Sequence, residues 1–165
     1  VLREGEQGTA MQQDAHTVVR EAQRHAQMDL EHQGSVRPAV FMLVARDPET
    51  GADLPQAAAI GSIAEGPDVD RAEWFDGIRA EAGRLGATVV AVCMGVEAEV
   101  EGGKRVPAAV VHVEDEAGAE LLMAPVARNG EQLQIGAYTV LTDVDPHAVM
   151  GIDPPLLPRS ASGTP

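Results

Sequence analysis

Basic residues are scarce in this chain. Twelve Lys and Arg stand against twenty-six Asp and Glu, for a net charge of −14 over 165 residues. Phosphate backbones are held by Lys and Arg contacts that release counterions, so this balance argues against nucleic acid and anionic membrane as partners. No local Lys/Arg cluster offsets the average. Cysteine is nearly absent too. Cys93 stands alone, which excludes an internal disulfide and makes a reducing, cytoplasmic setting the expected one. Phe41, Trp74, Phe75 and Tyr138 are the only aromatics, leaving few rings to stack on bases or sugars. No apolar run approaches the roughly 20 residues that span a bilayer. The N-terminal "VLREGEQGTAMQQ" lacks the apolar stretch of a secretory signal, so none is expected.

What remains is a chain of ordinary globular composition, 44% hydrophobic and 23% charged, long enough for one domain with a real core. Its apolar residues are mostly Ala and Val, which suit helices packed closely on a sheet. Residues 11–32 place Ala15, Val18, Val19, Ala22, Ala26 and Leu30 at three- and four-residue steps, the stripe of an amphipathic helix, with Gly34 as its stop. "VRPAVFMLVAR" (36–46) reads as a strand with Pro38 near its start, and "LPQAAAIGS" returns as a weaker one after the turn "DPETGAD". Asp68 or Asp70 then caps a second helix to about residue 84, with Gly86 beyond it and Trp74, Ile78 and Leu85 (with Phe75 or Ala82) turned to the sheet. "ATVVAVCMG" is apolar throughout, the mark of a central strand. Three β segments follow, at 106–114, 119–127 and 131–142, the last two joined by the hairpin signal Asn129-Gly130. The expectation is a single α+β domain over 11–144, in the order α-β-β-α-β-β-β, with a five-stranded, mostly antiparallel sheet and two helices on one face. Residues 1–10 are expected to be loose, and 145–165 to form a Pro-rich tail.

The acidic segment "VEAEVEGGKRVPAAVVHVEDE" (96–116) invites a catalytic interpretation. In "VEAEVE" the alternation puts Glu97, Glu99 and Glu101 on one face. Carboxylates two apart on a strand lie about 6.5–7 Å from each other, a gap that inverting glycosidases use. Every i, i+2 pair has that spacing, however, and parallel side chains do not converge on one ion. A solvated hairpin explains them better, with Gly102-Gly103 as the turn and Lys104 opposite Glu101 and diagonal to Glu99.

Other constellations are weaker. His25, Asp29 and His32 recur at i, i+4, i+7 on the first helix with Glu21 one turn before, and would ligate zinc or iron if another element supplied further ligands. His112, on a strand, and His147, in the tail, form no second cluster in the sequence. "GVEAEVEGGKR" lacks the first glycine and the Ser/Thr of a phosphate loop, and "GSIAEG" lacks the second glycine of a nucleophile elbow. The apolar setting of Cys93 suggests a buried, inert thiol. Arg71, Arg79 and Arg84 alternate with Glu73 and Glu81 as an exposed ion-paired face.

The order of elements, with "AVFMLVARDPETG" after a long helix and "ATVVAVCMGVEAEVEGGKRVPAAVVHVEDE" after the second, resembles a loose set of small uncharacterised bacterial and phage proteins over roughly residues 38–142. In those proteins a buried strand ends in an acidic stretch and leads through Arg, Pro or Glu into an "AVVV"-like strand. An aromatic residue expected after the acidic stretch is missing here. The resemblance implies a mixed-sheet α+β fold and no activity. The element order also looks like that of roadblock or profilin-type domains, which are scaffolds and dimerisation modules, at the level of fold alone.

With no acid/base pair, nucleophile or phosphate loop in evidence, the expected function is non-enzymatic. The chain reads as an acidic binding or assembly protein that docks another protein or itself, with no catalytic residue, metal or cofactor assigned. Ile152, Pro154, Pro155, Leu156 and Leu157 in "GIDPPLLPRS" are the candidate contacts, since prolines bias the tail toward an extended form with little ordering entropy to lose. The alternative for this tail is to fold back onto the domain's own sheet. Two other functions compete: a metal-dependent enzyme built on His25, Asp29 and His32, and an acidic mimic or chaperone that masks a basic partner.

Overall fold

The structure is a computed structural model that describes residues 10–64, 70–99 and 101–158. The first helix, α1, covers Ala10–Gln33, and Gly34 follows it at φ +79°. Strands β1 (Ala39–Arg46) and β2 (Asp53–Ile63) form the first hairpin. Helix α2 (Arg71–Leu85) is capped by Asp70, whose carboxylate accepts the Glu73 N–H, and is closed by Gly86 in the left-handed region. Then come β3 (Val89–Glu99), β4 (Arg105–Asp115), β5 (Gly118–Asn129), β6 (Gln132–Ile135) and β7 (Thr139–Val140), followed by a short helix, α3 (Pro146–Met150). The loose N-terminal segment and the alternative cap Asp68 fall outside the described residues.

The chain is an α+β protein whose sheet runs β2-β1-β3-β4-β5-β6, with β7 also paired to β5 and every neighbouring pair antiparallel. The sheet has seven strands rather than the expected five: six β segments can be read in the sequence, and the last, 131–142, is divided into β6 and β7 near Gly136, whose N–H donates to the Pro125 carbonyl. Helix α2 links β2 to β3 across β1.

The helices do not share a face, and this corrects the expected layering. Ala15, Val18 and Ala22 of α1 pack on Ala39, Leu43, Val89, Ala91, Cys93 and Val111. Phe75, Ile78, Ala82 and Leu85 of α2 pack on the other side, against Val40, Met42, Val44, Val90, Val92 and Met94. The physical reason lies in β3. All of Val89–Met94 is buried, and because successive side chains point to opposite faces, an uncovered face would put three of those apolar groups in water. One helix on each side solves this. The second side is completed by Met150, Ile152, Leu156 and Leu157, so residues 146–158 are packed against the domain rather than set apart from it.

The hairpin joining β3 to β4 also differs from the expected two-residue turn. Glu99 lies opposite Arg105, and the chain turns through Gly102 and Gly103, both in the left-handed region at φ +86° and +76°. Lys104 therefore sits in the connection, and Arg105 takes the cross-strand position facing Glu99. Glu97 and Glu99 are exposed, as a solvated face requires; the side chain of Glu101 lies outside the described residues.

Candidate functional site

The histidines of the first helix do not form a site. Both oxygens of the buried Asp29 are engaged by Arg37, through its backbone N–H at 2.6 Å and its guanidinium at 2.7 and 2.9 Å. That pairing ties the end of α1 to the approach of β1. Burial pushes the Asp29 carboxyl up, but the Arg37 hydrogen bonds and charge outweigh it and hold it below its ordinary value. The His25 ring lies 5.5 Å from Phe41, and burial lowers its pKa. His32 Nδ1 is 2.8 Å from the Met28 carbonyl within its own helix. Arg84 pairs with Glu81, as expected of an exposed ion-paired face, whereas Arg79 is half-buried and pairs with Asp76 rather than with Glu73 or Glu81. Cys93 is buried, and its thiol is pushed up to about 12 by that burial.

A different trio does converge. His112 and Glu114 are two apart on β4 and therefore point to the same face, the one covered by α2. Asp145 caps α3 by accepting the His147 N–H, and that turn brings the His147 ring to the same spot. Glu114 Oε1 is 2.9 Å from Nε2 of His112 and 2.9 Å from Nε2 of His147, while Oε2 accepts the Leu157 N–H at 2.9 Å. His112 is 0% and Glu114 2% exposed. Burial alone would raise the Glu114 pKa. The hydrogen bonds from His112, from the backbone N–H groups of Leu157 and Leu156, and from His147 prevail and hold it at about 2. The carboxylate is thus a charged acceptor in the interior, with donors on both oxygens.

The three ligand-type atoms lie within 4.8 Å of one another, close enough in principle for a metal ion. One observation favours a clamp instead: His112 Nδ1 has no partner, whereas a metal-bound imidazole normally donates its other N–H to an acceptor. What the trio does in this fold is hold the C-terminal segment down. Arg79 helps from α2, donating to the carbonyls of Pro155 at 3.1 Å and Pro154 at 2.6 Å. Ile152, Leu156 and Leu157 are 3%, 1% and 4% exposed, so the fold-back alternative describes them. They are core residues in this fold and are not presented to a partner. Pro154 is exposed and Pro155 half-buried.

Two surface features lie at the other end of the sheet. Strand β2 is its edge, and among the described residues no strand pairs with its outer side. It is exposed at every position but Leu54 and Ile60, and no charged residue occurs from Leu54 to Ala64. Beside it, between α2 and the β1–β2 hairpin, is an open groove of about 720 Å³. Its floor is Val40, Met42, Ile60 and Ile78, the half-buried Trp74 stands at its side, and Asp70, Glu73 and Glu81 line its rim. Gly77 lies in its α2 wall, where a Cβ would meet nothing within 4 Å. A mid-helix glycine costs about 1 kcal/mol relative to alanine, and no close packing asks for one here.

No family model matches the chain, and neither a curated protein nor a solved structure matches it. Among the described residues, no helix is long and apolar enough to cross a membrane.

Proposed function

We propose that this is a non-enzymatic assembly protein that pairs with a second copy of itself through the outer edge of β2. The observation that carries this is the edge strand β2, which no other strand covers among the described residues and which carries no charge after Asp53. A long exposed edge offers a row of unpaired N–H and C=O groups, and proteins that stay monomeric usually blunt such edges with lysines, prolines, bulges or covering segments. In β2, Pro55 and the register shift opposite Val44 and Arg46 interrupt the first half, which leaves residues 58–63 as the regular edge. Here the eleven residues of β2 carry one charge, Asp53 at the start, and include the exposed Ile63.

Charge favours a second copy as the occupant. With 23% of the chain charged and a net charge of −14, two copies repel each other over most of their surfaces. A stretch free of carboxylates is where like can meet like, and an antiparallel twofold pairing presents the same strand to itself. Glu114 supports a non-catalytic role, since both its oxygens are already engaged. The acidic balance favours protein over nucleic acid as partner, and the lone buried thiol suits a reducing cytoplasm.

Light scattering on a size-exclusion column tests this. The wild-type protein should elute as a dimer, and Ala57→Lys with Ala59→Lys should convert it to a folded monomer. A wild-type protein that stays monomeric from micromolar to near-millimolar concentration refutes the pairing.

A further inference from the structure

We propose that the groove between α2 and the β1–β2 hairpin binds an extended or helical segment of another protein that carries apolar side chains interspersed with Lys or Arg. The groove shares Ile60, Gly61 and Ser62 with β2 but uses the strand's α2-covered face, whereas the pairing uses its outer edge. Three features of the groove define its occupant.

The first is an apolar floor. Val40, Met42, Ile60 and Ile78 line a space of about 720 Å³, within the range of roughly 300–1,000 Å³ typical of ligand sites. The second is Trp74. Its helix neighbour Phe75 is fully packed in the core, yet the indole is only half-buried and stands at the groove. Tryptophan in such a position contributes a large apolar face, and that face also attracts a cation laid over it.

The third is charge. Among the described residues, Asp70, Glu73 and Glu81 line the groove, and no Lys, Arg or His does. Arg84 offsets Glu81, and Asp70 uses one oxygen to cap α2, so Glu73 and the outer side of Asp70 are the acceptors open to a partner. A neutral apolar segment would fill the floor and leave these carboxylates desolvated without partners, whereas an acidic one would be repelled. A Lys or Arg stem can lie along Trp74 and place its charged end on the rim. Gly77 keeps the α2 wall low, which gives a segment room to enter.

A random dodecapeptide phage library selected on the immobilised full-length protein tests this. Enriched sequences should combine apolar residues with Lys or Arg. The corresponding synthetic peptides should shift the fluorescence of Trp74, the only tryptophan, in a saturable way. Asp70→Asn with Glu73→Gln keeps a capping side chain and should weaken binding about tenfold or more. Gly77→Leu, an exposed change to a better helix former, should abolish it by filling the groove. Glu97→Gln with Glu99→Gln, on the distant hairpin, should leave it unchanged. In Ala57→Lys with Ala59→Lys neither position lines the groove, and the lysine at 59 falls on the opposite face of the sheet, since Ala59 pairs with Leu43 on the α1 side. This variant should bind the peptides like the wild type, whatever its oligomeric state. No enrichment, enrichment of neutral or acidic peptides, equal binding by Gly77→Leu, or an equal loss on neutralising the hairpin would each overturn the proposal.

Discussion

Replacing Glu114 by Gln tests the buried clamp most directly. The amide fills the same volume but offers one acceptor oxygen and one NH₂ where the carboxylate offers two acceptors. One orientation sets the NH₂ against the Leu157 N–H; the other sets it against two imidazoles that donate through Nε2 to the carboxylate, and for these to accept instead, His112 must move its proton to Nδ1, a buried atom with no acceptor. Donors left unsatisfied in the interior are costly. The cost follows from the proton equilibrium. The carboxyl is held at about 2 against an ordinary 4.5, and at about 1.36 kcal/mol per pH unit that gap amounts to about 3 kcal/mol. Because the folded value is depressed, this stabilisation is complete above about pH 5 and fades as the pH falls from 4.5 through 2. By pH 3 about 2 kcal/mol of it is gone. Gln has no proton to take up, so the stability gap between wild type and variant should narrow from about 3 kcal/mol at pH 7 to about 1 kcal/mol at pH 3. Urea unfolding at pH 7, 5 and 3, followed by circular dichroism and Trp74 fluorescence, measures this. A gap below about 1 kcal/mol at pH 7, or one that stays constant down to pH 3, would show that Glu114 is not the charged acceptor described.

Three further outcomes are expected. Ending the chain after Val144 removes the buried Met150, Ile152, Leu156 and Leu157, each worth about 1.5–3 kcal/mol. That sum approaches the whole stability of an ordinary domain, so the shortened protein should lose its cooperative melt and bind a hydrophobic dye; an unchanged melting temperature would show that the segment is dispensable. Glu97→Gln with Glu99→Gln should move unfolding stability by about 0.5 kcal/mol or less, and a larger loss would mean these exposed carboxylates are engaged. Chelators should leave the melting temperature unchanged, because hydrogen bonds already hold Glu114; one bound zinc per chain, lost in His112→Ala and His147→Ala, would make the trio a metal centre.

Much of the architecture was legible from local patterns. The three- and four-residue apolar spacing of α1, the Asp70 cap and Gly86 stop of α2, and the unbroken apolar run of β3 are short-range signals, and each appears where it was expected. The exposed glutamates of β3 follow equally from alternation. Helix α3 was not anticipated, since "DPHAVMG" is too short to show a period and the prolines of 145–165 suggested a tail.

The sequence by itself determined the α+β class, the element order through the fifth strand, the exposure of Glu97 and Glu99, and the burial of Cys93. These depend on propensity, period and hydrophobicity, which act within a few residues. Only the tertiary structure decided that the helices take opposite faces, that β2 is the edge of the sheet among the described residues, and that Ile152, Leu156 and Leu157 belong to the core. It alone turned Glu114, one acid in a run of three, into a buried acceptor joined to His147 thirty-three positions away. Which carboxylate loses its water depends on what the rest of the chain lays over it, and no local pattern around Glu114 carries that information.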